Sequence, residues 1–162
     1  MSHNQFHSED FPMLVETGFI AVKQGNQQAA EKIFRAAQLL KPEHSAPVLG
    51  FGYIALNAMR LETARHLFSS VLKKEPENAL AKVLLGFSYL VDKFTSIKKD
   101  AKTIEKGPTL KPQEISALAE TGEKLVKEAL KESSDPGVHS LGKSALALLE
   151  KVTEYEASPL KT

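Results

Sequence analysis

The sequence predicts an all-α protein in which helical hairpins stack side by side. Three observations carry that prediction. Segment 45–78 registers without a gap on 11–44, so that Gly18 falls on Gly52, Ile20 on Ile54, Ala30 on Ala64, Phe34 on Phe68 and Pro42 on Pro76. Gly18, Gly52 and Gly86 keep the same 34-residue step into a third segment. Between these marks, apolar residues recur at helical spacing and are punctuated by Gly, Pro and Asn at intervals of one helix. A period of that length is the signature of a helix–turn–helix solenoid.

Residues 1–10 are polar and unpatterned and read as a disordered tail. His3 and His7 stand near Glu9 and Asp10, but two ligands without a fixed scaffold bind metal weakly, so no metal is expected. The first helix starts near Asp10 or Phe11, with Asp10 as candidate N-cap and Pro12 in the first turn, and Gly25 stops it. Asn26 caps a second helix over 27–40, which Pro42 ends. Ser45 caps a third over 46–57, a turn covers 58–60, and a fourth over 61–74 ends before Pro76. Asn78 caps a fifth over 79–91. From Asp92 to Lys111 the apolar period fades, and Gly107-Pro108 breaks any helix.

Helical order returns over 112–132, with Ile115, Leu118, Ala119, Val126, Ala129 and Leu130 on one face. Ser134 or Asp135 caps a last helix over 136–156, striped by Leu141, Ala145, Leu148, Leu149, Val152 and Tyr155. These two fit the closing helices that a solenoid needs over its last core, and 157–162 is a tail. The domain organisation is therefore a single domain, 11–156, with repeats 11–44 and 45–78, a degenerate third over 79–111, and the two closing helices.

The mid-helix glycines have a packing reason. Each costs about 1 kcal/mol against alanine, and a cost repeated at a fixed period implies close approach of the paired helix. Ala30 and Ala64 supply the small residues opposite; Phe34 and Phe68 fill the space between hairpins.

Bulk properties narrow the function. A net charge of +1 gives no global field toward nucleic acid or an acidic membrane. The lysines at 98, 99, 102, 106 and 111 are interrupted by Asp100 and Glu105 and lack an aromatic platform, so they read as a solvated face. There are no cysteines, which fits a reducing cytoplasm, and no apolar run approaches the ~20 residues of a membrane span. No phosphate loop, HExxH, GxSxG or triad-like grouping is present, and His44, His66 and His139 are scattered. Neither catalysis nor a cofactor is expected.

The repeat residues resemble the tetratricopeptide pattern. Gly18, Ala30, Phe34, Ala37 and Pro42 match its eighth, twentieth, twenty-fourth, twenty-seventh and thirty-second positions, and Gly52, Ala55, Ala64, Phe68 and Pro76 match it again. The third copy keeps Gly86 and Tyr89, but Lys98 and Lys102 stand where Ala and Phe belong. The resemblance implies a tetratricopeptide-type solenoid whose first helices line a concave groove. The second, fifth, ninth and twelfth positions of each repeat would face it, and the last three rows hold Val15, Phe19 and Val22; Leu49, Tyr53 and Leu56; Val83, Phe87 and Leu90. All nine are apolar. Full burial of each is worth about 1.5–3 kcal/mol, so an occupant is expected: either the C-terminal helices folded back, or a foreign amphipathic helix. Phe19, Tyr53 and Phe87 are the expected anchors. Val15 and Phe19 stand where chaperone-peptide clamps carry Lys and Asn, which excludes carboxylate binding.

A short apolar-grooved repeat protein of this kind resembles the chaperones of bacterial type III secretion. The start of the first repeat by Phe11, the decay of the third, the Ser134-Asp135-Pro136 entry to the closing helix and the Leu160-Lys161-Thr162 end resemble the larger, G-type subunit of the needle-subunit chaperone. That resemblance implies a non-catalytic cytoplasmic protein that binds a needle-subunit helix with a small helical co-chaperone and prevents premature polymerisation. Its alternatives are a translocator-protein chaperone of the same system and a generic protein-interaction module. Alone, such a chain is expected to self-associate.

Overall fold

The computed structural model describes residues 7–100 and 112–158, and every element among them is helical. A 3-10 turn, Ser8–Asp10, leads into α1 (Phe11–Lys23), α2 (Gln27–Leu40), α3 (Ser45–Asn57), α4 (Leu61–Lys74), α5 (Ala79–Asp100), α6 (Pro112–Glu132) and α7 (Pro136–Ala157). Two compact units divide the chain, Met1–Lys74 and Glu75–Thr162. The expected tails at 1–6 and 159–162 lie outside the described residues, as does most of the lysine-rich stretch, 101–111. Residues 8–10 of the expected N-terminal tail are ordered into the 3-10 turn instead.

In the N-terminal unit, α1 packs on α2, α3 on α4, and α2 and α1 both on α3. Phe34 sits at the centre, fully buried on α2. A Cβ added to Gly18 of α1 would lie 2.6 Å from its ring, and one added to Gly50 of α3 would also collide with it. The Phe51 ring meets it edge-on at 6.0 Å. One period later, Phe68 of α4 is fully buried and lies where a Cβ on Gly52 would be. Ala30 and Ala64 are fully buried as well. The costly glycines thus serve as seats for phenylalanine rings.

The joint within each hairpin repeats as well. Asn26 N–H donates to Ala21 O at 2.9 Å and Gly25 N–H to Val22 O at 3.0 Å; Arg60 N–H donates to Ala55 O at 2.9 Å and Met59 N–H to Leu56 O at 3.0 Å. Both joints need a left-handed residue: φ is 76° at Gly25 and 57° at Met59. Glycine accepts this freely, whereas a residue with a Cβ is held there at a cost of about 1–2 kcal/mol. Met59 is 52% exposed, so its removal forfeits little packing. We expect Met59→Gly to stabilise the N-terminal unit by about 1 kcal/mol after the added chain entropy of glycine is counted, read as a higher urea midpoint.

Capping follows the sequence in three places. Asn26 Oδ1 accepts from Ala29 N–H at 3.1 Å, Asn78 Oδ1 from Ala81 N–H at 2.9 Å and Asp135 Oδ1 from Val138 N–H at 2.9 Å. Two caps differ from expectation. Asp10 accepts from His7 N–H at 2.7 Å, closing the 3-10 turn rather than capping α1. Ser45 lies inside α3, and the cap is His44, whose Nδ1 accepts from Ala46 N–H at 3.1 Å. The His44 ring also packs on Phe11 at 4.6 Å, which Lys41 Nζ overlies at 4.8 Å.

The C-terminal unit departs further. Its first helix does not stop near Val91 but runs on to Asp100, because Val91, Phe94 and Ile97 continue an apolar edge and become half-buried. The second helix of the third hairpin therefore comes from α6, which makes the most extensive contact with α5. Gly86 takes part as expected, but its counterpart is another glycine. A Cβ on Gly86 would lie 2.5 Å from Gly122 O, and one on Gly122 would lie 2.7 Å from Gly86 O. The two backbones touch directly. α7 then packs on both α5 and α6.

Candidate partner-binding site

The nine apolar positions expected to line a groove fall six in the N-terminal unit and three in the C-terminal unit. On α5, Val83 packs with Ala129 of α6 and Val138 of α7. Leu90 packs with Ala119, Val126 and Ala145, and Phe87 borders that cluster with Leu146, Leu148 and Leu149. The C-terminal helices of the chain itself cover this row. Val83 and Leu90 are core, and Phe87 is half-buried at the border of that cluster.

In the N-terminal unit the rows form a seam between α1 and α3. The Phe19 ring lies 6.2 Å from that of Tyr53 and 5.2 Å from Phe34. Val22, Leu49, Tyr53 and Leu56 are buried. Val15 and Phe19 are half-buried and remain partly open to solvent. Burial of Tyr53 raises the pKa of its phenol above the ordinary value by desolvation, consistent with an interior position rather than an anchor on an open surface. In this unit the accessible part of the expected lining is Val15 and Phe19.

Several charged groups pair with one another. Lys82 is buried on α5, where its Nζ reaches Glu132 at 2.6 Å and Glu77 at 3.4 Å. The hydrogen bond to Glu132 is the main cause of its raised pKa, so it stays protonated at neutral pH. Along α6, Lys127 meets Glu123 at 2.6 Å, part of a solvated charged strip. His44 is committed to its cap, and His139 Nε2 lies 2.6 Å from Ser133 O across the α6–α7 joint. Among the described residues no group of three His, Asp or Glu side chains is placed to hold a metal, and no helix is long and apolar enough to cross a membrane.

The exposure of two apolar side chains on α1 was not anticipated from the sequence. Met13 and Ile20 of α1 are 58% and 46% exposed. The signal for them was in the register: one period on, they become Pro47 and Ile54, both buried.

No known protein family, curated protein or solved structure matches the chain.

Proposed function

We propose that the chain is a non-catalytic chaperone of the tetratricopeptide type, acting in a bacterial cytoplasm, that holds an amphipathic helix of a type III secretion needle subunit together with a small helical co-chaperone. The observation that supports this reading is the gapless 34-residue recurrence of the hairpin design, with Gly18 seated on Phe34 and Gly52 on Phe68. It pairs with a first-helix row that still offers Val15 and Phe19 to a partner. Binding through an apolar seam needs no reaction chemistry. A complex that sequesters the polymerising helix lowers the free subunit concentration by mass action and so holds back assembly.

The test is co-expression of the chain with a needle subunit and its co-chaperone, followed by co-purification. Val15→Glu places a charge at the half-open border of the cluster of Phe11, Leu14 and Ala37, and should reduce recovery of the needle subunit about tenfold or more. Leu39→Glu, at a side chain 82% exposed on α2, should leave recovery unchanged. Retention of the subunit by Val15→Glu, with helical content equal to wild type, would show that the partner does not use this seam. Recovery of a translocator protein in place of the needle subunit would favour the other chaperone branch.

A further inference from the structure

We propose that the outer face of α1 pairs two copies of this chain, antiparallel about a two-fold axis. The face is one that this architecture builds to receive a helix. On α3 it consists of Pro47, Gly50, Phe51 and Ile54, and α2 covers it: Pro47 and Ile54 are buried, and Phe34 lies against Gly50 and Phe51. One period earlier the same face of α1 is Met13, Glu16, Thr17 and Ile20, with Met13 and Ile20 standing open. Glu16 replaces the glycine seat, so no phenylalanine of the α2 kind inserts here. A flatter contact is required.

The charges select the second copy and its direction. Glu9 and Asp10 lie at the start of α1, and Lys23 closes its last turn. An antiparallel copy sets the acidic end of each α1 beside Lys23 of the other, twice, and aligns the helix dipoles favourably. A parallel copy would set acid against acid. About the midpoint between Glu16 and Thr17, Met13 meets Ile20 of the second copy, and Glu16 meets Thr17, whose hydroxyl can donate to the carboxylate. The two Glu16 side chains approach each other near the axis, and one helix face buries less than the ~1,600 Å2 of a standard interface. The dimer is therefore weak, with a Kd in the range of about 1–100 µM.

Sedimentation equilibrium of the full chain over about 5–300 µM reads this directly, since that range brackets such a Kd. Wild type should show a concentration-dependent monomer–dimer equilibrium. Ile20→Glu should weaken it about tenfold or more, and Glu16→Leu, which joins Met13 to Ile20 and removes the like charges at the axis, should tighten it by a similar factor. The gain in Glu16→Leu counts only as a two-state monomer–dimer equilibrium with wild-type helical content, which a misfolded, aggregating chain does not give. Val15→Glu, on the other side of α1, should dimerise as wild type does, so this inference and the proposed partner binding fail separately. A wild-type chain that stays monomeric throughout the range, as it would if the face served a foreign protein, overturns the proposal. So does an unchanged dimer in both Ile20→Glu and Glu16→Leu.

Discussion

Phe34→Ala should destabilise the N-terminal unit by about 3–5 kcal/mol, at the upper end for loss of a buried aromatic side chain. The reason lies in what surrounds the ring. Phe34 is wholly buried and bounded by Gly18 on α1 and Gly50 on α3. Glycines have no side chain to swing into the space, so the void can close only if helices move. The same ring carries edge contacts to Phe19 at 5.2 Å and Phe51 at 6.0 Å, which are lost together. Since a domain's net stability is typically about 5–15 kcal/mol, the variant should lose most of it in this unit. Urea unfolding followed by circular dichroism, with hydrogen exchange to localise the effect, is the measurement. Protection should collapse in α1, α2 and α3 while α5–α7 amides change less. Leu39→Ala, on the same helix but solvent-exposed, should fall within about 0.5 kcal/mol of wild type. A cost below about 1 kcal/mol for Phe34→Ala would mean that the ring is not the hub of the unit.

Much of this core was readable because the information is local or periodic. Gly18 and Phe34 recur at a fixed step as Gly52 and Phe68, and a repeated misfit of glycine with helix propensity betrays a packing purpose. Caps at Asn26, Asn78 and Asp135 were readable because an Asn or Asp before an apolar period has one dominant use. The left-handed joint was legible at Gly25 but not at Met59, where only the register indicates that methionine is held in a glycine's conformation. His44 was missed as a cap because its ring nitrogen acts only in one tautomer and rotamer.

What covers a surface was less legible. Val15, Phe19 and Val22 form an apolar row, and such a row suits an open groove and a seam between successive first helices equally well. The aromatic pair of Phe19 and Tyr53 makes it a seam in the N-terminal unit. Val83, Phe87 and Leu90 are covered by α6 and α7, helices too distant in sequence for any local window to contain. The same limit hid the true third hairpin. Lys98 and Lys102 mark where the pattern lapses; residues 92–100 continue α5, and Lys102 lies outside the described residues. Nothing within the period announced that α6 supplies the second helix, because Gly122 falls outside the 34-residue step from Gly86.

That glycine pair sets up the most severe expected effect in the C-terminal unit. On helix propensity alone, Gly86→Ala and Gly122→Ala would each stabilise by about 1 kcal/mol, so the sign of the change is itself diagnostic. The structure reverses it. A methyl added at Gly86 would lie 2.5 Å from Gly122 O, and one added at Gly122 would lie 2.7 Å from Gly86 O, both well inside contact distance. The obstacle is backbone, not a flexible side chain, so relief requires α5 and α6 to separate along their length. That separation opens the interface around Val126 and Ala129, both fully buried. Each substitution should therefore destabilise the unit by about 2–3 kcal/mol net, as strong overpacking does. Gly52→Ala, where the obstacle is the edge of the Phe68 ring, should cost less because a ring can shift. The double variant Gly86→Ala/Gly122→Ala provides the sharper test. Once one methyl has parted the helices, the second enters space already opened, so the combined loss should fall short of the sum by about 1 kcal/mol or more. Strict additivity would mean that the two glycines meet different obstacles. A stabilising single substitution would mean that α5 and α6 are not in backbone contact.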